Sequence, residues 1–247
     1  MIDIEFNDDR AKGFVSNQDI ETLQERVDRL HDGLENKMGL GNEHLGWLHL
    51  PSSTPSSLID SIITTQKEIR DKCDAFVCIG IGGSYMGARA AISFLSPFFK
   101  QSSNPDIYFA GHTMCSDYYS DLFRTLEDKE VCVNVISKSG TTLEVAIAFR
   151  LLRSFMEKKY GKEESRKRII VTTGPEKNPL NSLSKEEGYK LYVIPEDIGG
   201  RFSVLTTAGL LPIAISGVDL NNLMDGALLA ESALTKTSDL GQNLAYR

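Results

Sequence analysis

The chain has 247 residues, 41% of them hydrophobic, enough for one large domain or two small ones with a substantial core. Its 34 acidic against 27 basic residues leave a net charge of −7, which argues against nucleic acid, since binding there needs a basic surface patch. No run approaches the roughly 18 apolar residues of a membrane span, and Met1-Ile2-Asp3-Ile4-Glu5 lacks the charged-then-apolar order of a signal peptide, so a cytoplasmic chain with no membrane contact is expected.

Residues 1–50 read as a polar helical arm. Asn17-Gln18-Asp19 offers a start, and from Ile20 the apolar residues recur at helical intervals. Trp47, Leu48, Leu50 and Pro51 then lead through Ser- and Pro-rich sequence to a second helix at 57–72. Five short apolar, β-branched or aromatic runs follow, at 75–81, 106–110, 131–136, 168–173 and 190–194. Helical patterns separate them, a spacing suited to crossovers and not to hairpins. The expected fold is a three-layer αβα sandwich on a five-stranded parallel sheet, whose strands are apolar throughout because both faces are covered. Residues 204–215 suit a buried helix interrupted by Gly209 and Pro212. From Asp219 a helical pattern runs to Tyr246-Arg247 without a cap, which reads as a cut. The expected division is thus an arm (1–50), an α/β domain (51–218) and a helical segment leading onward (219–247).

Three segments follow strands at one carboxyl edge. Gly80-Ile81-Gly82-Gly83-Ser84-Tyr85-Met86-Gly87 follows the first strand. Its glycines permit a sharp turn and close approach to a ligand, and Ser84 adds a hydroxyl at a helix start. Gly82, Gly83 and Gly87 match a dinucleotide fingerprint only approximately, and the second strand ends in Tyr108-Phe109-Ala110-Gly111-His112, without the acidic residue that holds a ribose.

Ser137-Lys138-Ser139-Gly140-Thr141-Thr142 follows the third strand and precedes a helix. Capping uses one or two hydroxyls, and four with a lysine at a helix N-terminus suit a phosphate dianion better. Pro195-Glu196-Asp197-Ile198-Gly199-Gly200-Arg201-Phe202-Ser203 follows the fifth strand. Its glycines let backbone pass close to a small ligand while Arg201 presents a fixed positive fork.

Other chemistry-bearing residues read as structural. Lys162 with Arg166-Lys167-Arg168 is diluted by Glu163 and Glu164 into a solvated helix end. Cys73, Cys78, Cys115 and Cys132 have no metal-site spacing and read as buried thiols. Of His31, His44, His49 and His112, only His112 stands at a strand's carboxyl end, where a loop histidine is more often packing than ligand.

The three segments, together with Gly46-Trp47-Leu48-His49-Leu50-Pro51, closely resemble the N-terminal half of the bacterial glucose-6-phosphate isomerase family, within the sugar-isomerase (SIS) fold group. The resemblance spans essentially the whole chain. It implies interconversion of glucose 6-phosphate and fructose 6-phosphate through an enediol, without metal or organic cofactor. Ser137, Lys138, Ser139, Thr141 and Thr142 would grip the phosphate, with Gly83 and Ser84 lining the same pocket and Gly200 and Arg201 beside the reacting carbons. Arg201 would stabilise the developing enediolate.

Family members are about twice as long, and their proton-transferring glutamate, ring-opening histidine and late lysine belong to the second half. The chain is therefore expected to be inactive alone, with Glu144 and Glu196 as the only local carboxylates to test. The family enzyme is a homodimer. The alternatives are another SIS-type sugar-phosphate isomerase, or a non-enzymatic sugar-phosphate sensor, whose usual nucleic-acid-binding partner domain has no counterpart in the arm.

Overall fold

The computed structural model describes residues 7–97, 99, 104–175 and 177–246. Five parallel strands, β1 (Ala75–Ile79), β2 (Asp106–Ala110), β3 (Val131–Ser137), β4 (Ile169–Thr173) and β5 (Lys190–Val193), form one sheet in the order β2-β1-β3-β4-β5. β1, β3 and β4 are buried at every residue, as their continuous apolar runs require, while the edge strand β5 alternates with solvent.

The arm is two helices, α1 (Asn17–Glu21) and α2 (Gln24–Glu35), broken at Thr22-Leu23. Ser16 and Asp19 close a reciprocal cap at its start. After the short α3 (Leu50–Ser53) come α4 (Ser56–Arg70), α5 (Gly83–Leu95), α6 (Ser116–Leu126), α7 (Leu143–Tyr160), α8 (Lys162–Arg166), α9 (Pro179–Glu187), α10 (Thr207–Ile215) and α11 (Leu220–Leu234).

The alternation of side chains across the sheet sorts these helices into two layers. Val131, Val133 and Val135 of β3 face Leu122 and Leu126 of α6 and Val145, Phe149 and Leu152 of α7. Cys132 of the same strand packs on the opposite side with Ile62 of α4, Ala88 of α5 and Leu210 and Ile213 of α10. α10 is buried all round, so it is apolar all round. Gly209 and Pro212 do not interrupt it. A Cβ on Gly209 would come within 2.0 Å of the Val204 carbonyl oxygen, so glycine is there for close approach.

The C-terminal helical pattern is shorter than expected. α11 stops at Leu234, and the buried Asn243 side chain donates to the Leu234 and Thr237 carbonyls, turning the remaining chain back on the helix end. Cys73, Cys78 and Cys132 are buried, but Cys115 is exposed, because it is the N-cap of α6 at the sheet edge and not part of a strand.

Candidate sugar-phosphate site

α5 crosses on one face of the sheet and α6, α7 and α9 on the other, so the winding reverses between β1 and β3. Ligands of open α/β sheets bind at the carboxyl ends of the strands flanking such a reversal. The glycine turn after β1 and the Ser/Thr loop after β3 stand there.

The Ser/Thr loop is a ring of hydroxyls. Oγ1 of Thr142 lies 3.2 Å from Oγ of Ser137 and 3.5 Å from Oγ of Ser139, and Thr141 Oγ1 donates to Ser139 Oγ at 3.1 Å. The Gly140 N–H donates to Ser137 Oγ at 3.2 Å, which folds the loop over the strand end. Gly140 has φ +67°, and a Cβ there would come within 2.1 Å of the Asn178 Oδ1, so the turn demands glycine twice over. Thr142 occupies the N-cap of α7, yet no side chain caps that helix. The hydroxyls bond to one another, and none of them caps α7.

Lys138 is used in a way its sequence position does not reveal. Its ammonium donates to the carbonyl oxygens of Glu196 at 2.5 Å and Ile198 at 2.9 Å, tying the hydroxyl loop to the Gly-Gly-Arg segment. Two of its three donors are thereby engaged.

On the other side, Gly83 meets the same segment backbone to backbone. A Cβ on Gly83 would lie 2.0 Å from the Gly200 carbonyl oxygen, and Ser203 Oγ donates to the Gly83 carbonyl at 3.2 Å. Gly83 and Gly200 are thus packing partners, while Ser84 reaches the cleft.

These contacts enclose a cleft of about 510 Å³ lined by Ser84, Lys138, Ser139, Thr142, Asn178 and Glu196 among others. Gly174 and Asn178, from the loop after β4, were not singled out from the sequence, although Gly174-Pro175 is a turn signal at the same sheet edge. Arg201 sits in the short 3₁₀ turn Gly200–Phe202, exposed and outside the cleft lining, and its guanidinium pairs with no described residue. Glu144 stands in the first turn of α7 and is not part of the cleft lining.

His112 stays apart from the cleft, stacked on Tyr85 at 5.2 Å and edge-on to Tyr118. Burial, with the nearby Arg89 charge, pushes its pKa below the ordinary value, and its Nδ1 is buried without a partner among the described residues. It therefore packs as a neutral ring. Among the described residues no group of His, Cys, Asp or Glu is placed to hold a metal ion, and no helix is long and apolar enough to cross a membrane.

A parallel sheet reversing between β1 and β3, with a hydroxyl-ringed helix N-terminus at the reversal, defines an α/β domain of the SIS type. The phosphoglucose isomerase family model matches residues 60–245, and the chain belongs to that family. It is 47% identical over 250 residues to glucose-6-phosphate isomerase of Clostridioides difficile (strain 630), and 46% identical over 253 residues to that of Shouchella clausii (strain KSM-K16). These alignments take in 99% and 100% of this chain but 56% of each relative, so the chain spans about half the length of the curated relatives it matches. Among solved structures, a hypothetical protein from Thermus thermophilus superposes with a TM-score of 0.82 at 28% identity, over 93% of this chain and 52% of that one. A glucose-6-phosphate isomerase from Chlamydia trachomatis D/UW-3/Cx shares the fold, with a TM-score of 0.73 at 20% identity over 94% of this chain and 49% of that one.

Proposed function

We propose that this chain is the phosphate-gripping half of an aldose-ketose isomerase that interconverts glucose 6-phosphate and fructose 6-phosphate. The observation that carries the reading is the uncapped α7 N-terminus under a ring of four hydroxyls, two of which, those of Ser139 and Thr142, line the same cleft as Ser84, Lys138 and Glu196.

The phosphate dianion would replace the hydroxyl-to-hydroxyl bonds of Ser137, Ser139, Thr141 and Thr142 with charge-assisted ones, helped by the helix dipole. Lys138 contributes its remaining donor and holds the cup against the Gly-Gly-Arg segment. Gly83 and Gly200 hold that approach close, and Ser84 lines the pocket. Arg201, without a partner among the described residues, would face the sugar carbons. Proton transfer between the first two carbons builds negative charge on the enediolate oxygens, which a preorganised guanidinium stabilises more than it does the ground state.

The proton-moving carboxylate, the ring-opening histidine and the lysine that the reaction needs are assigned to the part of the family's length that this chain does not span. The whole enzyme would be a cytoplasmic homodimer that engages neither nucleic acid nor membrane and needs no cofactor, with residues 51–218 as its first SIS domain.

The test is calorimetric titration with fructose 6-phosphate of the unmodified chain, Ser139→Ala/Thr141→Ala and Arg201→Ala, beside a coupled isomerase assay. Loss of two charge-assisted bonds weakens binding about 100-fold or more in the double variant. Binding that survives this change refutes the cup. Turnover by the chain alone refutes the assignment of proton transfer elsewhere and transfers it to Glu144 or Glu196.

A further inference from the structure

The segment Gly46-Trp47-Leu48 has no part in the cleft, yet it packs on the turn that carries Arg201. Leu45 and Ile198 form an antiparallel bridge, and the Gly46 N–H donates to the Asp197 carbonyl at 3.0 Å. A Cβ on Gly46 would come within 2.3 Å of the Asp197 carboxylate, which would have to swing away. Trp47 then lies flat on Phe202, ring centroids 5.1 Å apart and planes 17° apart.

Phe202 directly follows Arg201. The turn is only three residues long, closed by the Phe202 N–H donating to the Gly199 carbonyl at 2.9 Å. Fixing the Phe202 ring therefore fixes the backbone from which the guanidinium projects. Arg201 has no partner of its own among the described residues, so its place is set by what holds this turn. Lys138 holds the turn's approach and Ser203 its exit. Phe202 remains 48% exposed, so the stack is not core packing.

We propose that residues 45–48 are a clamp on the Gly-Gly-Arg turn and that Trp47 is a positioning residue for Arg201. This rests on the sugar-phosphate reading above, in which Arg201 serves the sugar end of the ligand and the hydroxyl cup the phosphate. A clamp on Arg201 alone separates the two ends: disturbing it weakens the grip on a sugar phosphate and leaves the grip on inorganic phosphate unchanged.

The experiment compares the unmodified chain with Trp47→Leu, Trp47→Phe and, from the other side of the stack, Phe202→Leu. Each is titrated with fructose 6-phosphate and with inorganic phosphate, and hydrogen exchange is followed at the Phe202 and Ser203 amides without ligand. Trp47→Leu and Phe202→Leu are expected to weaken fructose 6-phosphate about threefold to tenfold, the range spanned by loss of an aromatic pair. Inorganic phosphate should stay within about twofold, a difference below about half a kilocalorie. Trp47→Phe, which keeps a stacking ring, should restore binding. In an Arg201→Ala background Trp47→Leu should have no further effect, because the residue acts through the guanidinium.

Equal weakening of both ligands, or an undiminished Trp47→Leu effect in the Arg201→Ala background, overturns the proposal. Should the unmodified chain bind neither ligand, the proposed function fails and exchange decides the clamp. Faster exchange at Phe202 and Ser203 in both leucine variants upholds it, and unchanged exchange overturns it.

Discussion

Gly83→Ala tests the closest contact in the site. The added methyl would lie 2.0, 2.2 and 2.8 Å from the carbonyl oxygen, carbonyl carbon and Cα of Gly200. These are backbone atoms, so no rotamer change relieves them, and ordinary contact would require α5 and the Gly-Gly-Arg turn to separate by about 1.4 Å, more than a close-packed contact absorbs. That movement stretches the Ser203 hydroxyl bond to the Gly83 carbonyl, now 3.2 Å.

Overpacking costs about 1–3 kcal/mol and a lost hydrogen bond about 1, against up to about 1 gained from alanine over glycine in a helix. The steric effect wins, with a net loss of about 1–3 kcal/mol. For a chain of this size that lowers the melting temperature by roughly 2–12 °C. Gly83 does not have a positive φ, so backbone strain does not confuse the result. Gly226, inside α11 with nothing within 4 Å of its would-be Cβ, is the control. Its alanine variant should gain about 0.5–1 kcal/mol. Thermal melts read both, and a Gly83→Ala protein as stable as the unmodified chain would refute the reasoning.

His49 should make the docking of the arm depend on pH. Its Nε2 donates to Glu35 of α2 at 2.8 Å and its Nδ1 to Glu231 of α11 at 3.2 Å, and the Glu35 bond first of all holds its pKa above the ordinary 6.5. Burial opposes ionisation of Glu231, but the Ser52 hydroxyl and N–H and the His49 ring together hold its carboxyl below the usual range. A raised histidine pKa gives stability that is complete below about pH 6.5 and is lost as pH rises through the folded value. Urea midpoints should therefore fall above about pH 6.5 in the unmodified chain and stay level in His49→Gln, and equal slopes would contradict the bridge. Of the four cysteines, one thiol, Cys115, should react with a disulfide reagent in the native protein, since the other three are buried and burial pushes the Cys78 thiol far up. Cys115→Ser should remove that reaction, and prompt labelling of a second thiol would contradict the packing.

Much of the architecture is legible because its causes are local. Continuous apolar runs separated by helical patterns become β1 to β5 with little change at their ends, and turn glycines after strands mark the sheet edge. What the sequence hides depends on partners far along the chain. Nothing at Lys138 announces that its ammonium bonds carbonyls 58 and 60 residues away. Trp47 reads as part of an apolar connector until Phe202 is brought beneath it, and Asn243 reads as helix until its side chain is found on the Leu234 carbonyl. Cys115 is misread because it lies past the end of β2, at the exposed N-cap of α6. The glycines of the site illustrate both sides. Gly140 is demanded by its own φ, which a turn motif signals, whereas Gly83 is demanded by Gly200, which only the fold reveals.

The most direct measurement is an amide NMR titration of the labelled chain with fructose 6-phosphate. The expected result is a set of saturating shifts confined to Ser84, residues 138–143, Gly174 and residues 196–203, lost together in Ser139→Ala/Thr141→Ala. A second cavity of about 270 Å³ lies behind the hydroxyl loop, between Phe149 of α7 and Leu180 and Leu183 of α9. Shifts confined to Phe149, Leu180 and Leu183, with Ser84, Ser139, Gly174 and residues 196–203 unmoved, would contradict the claim that the hydroxyl cup and the Gly-Gly-Arg segment form one sugar-phosphate site.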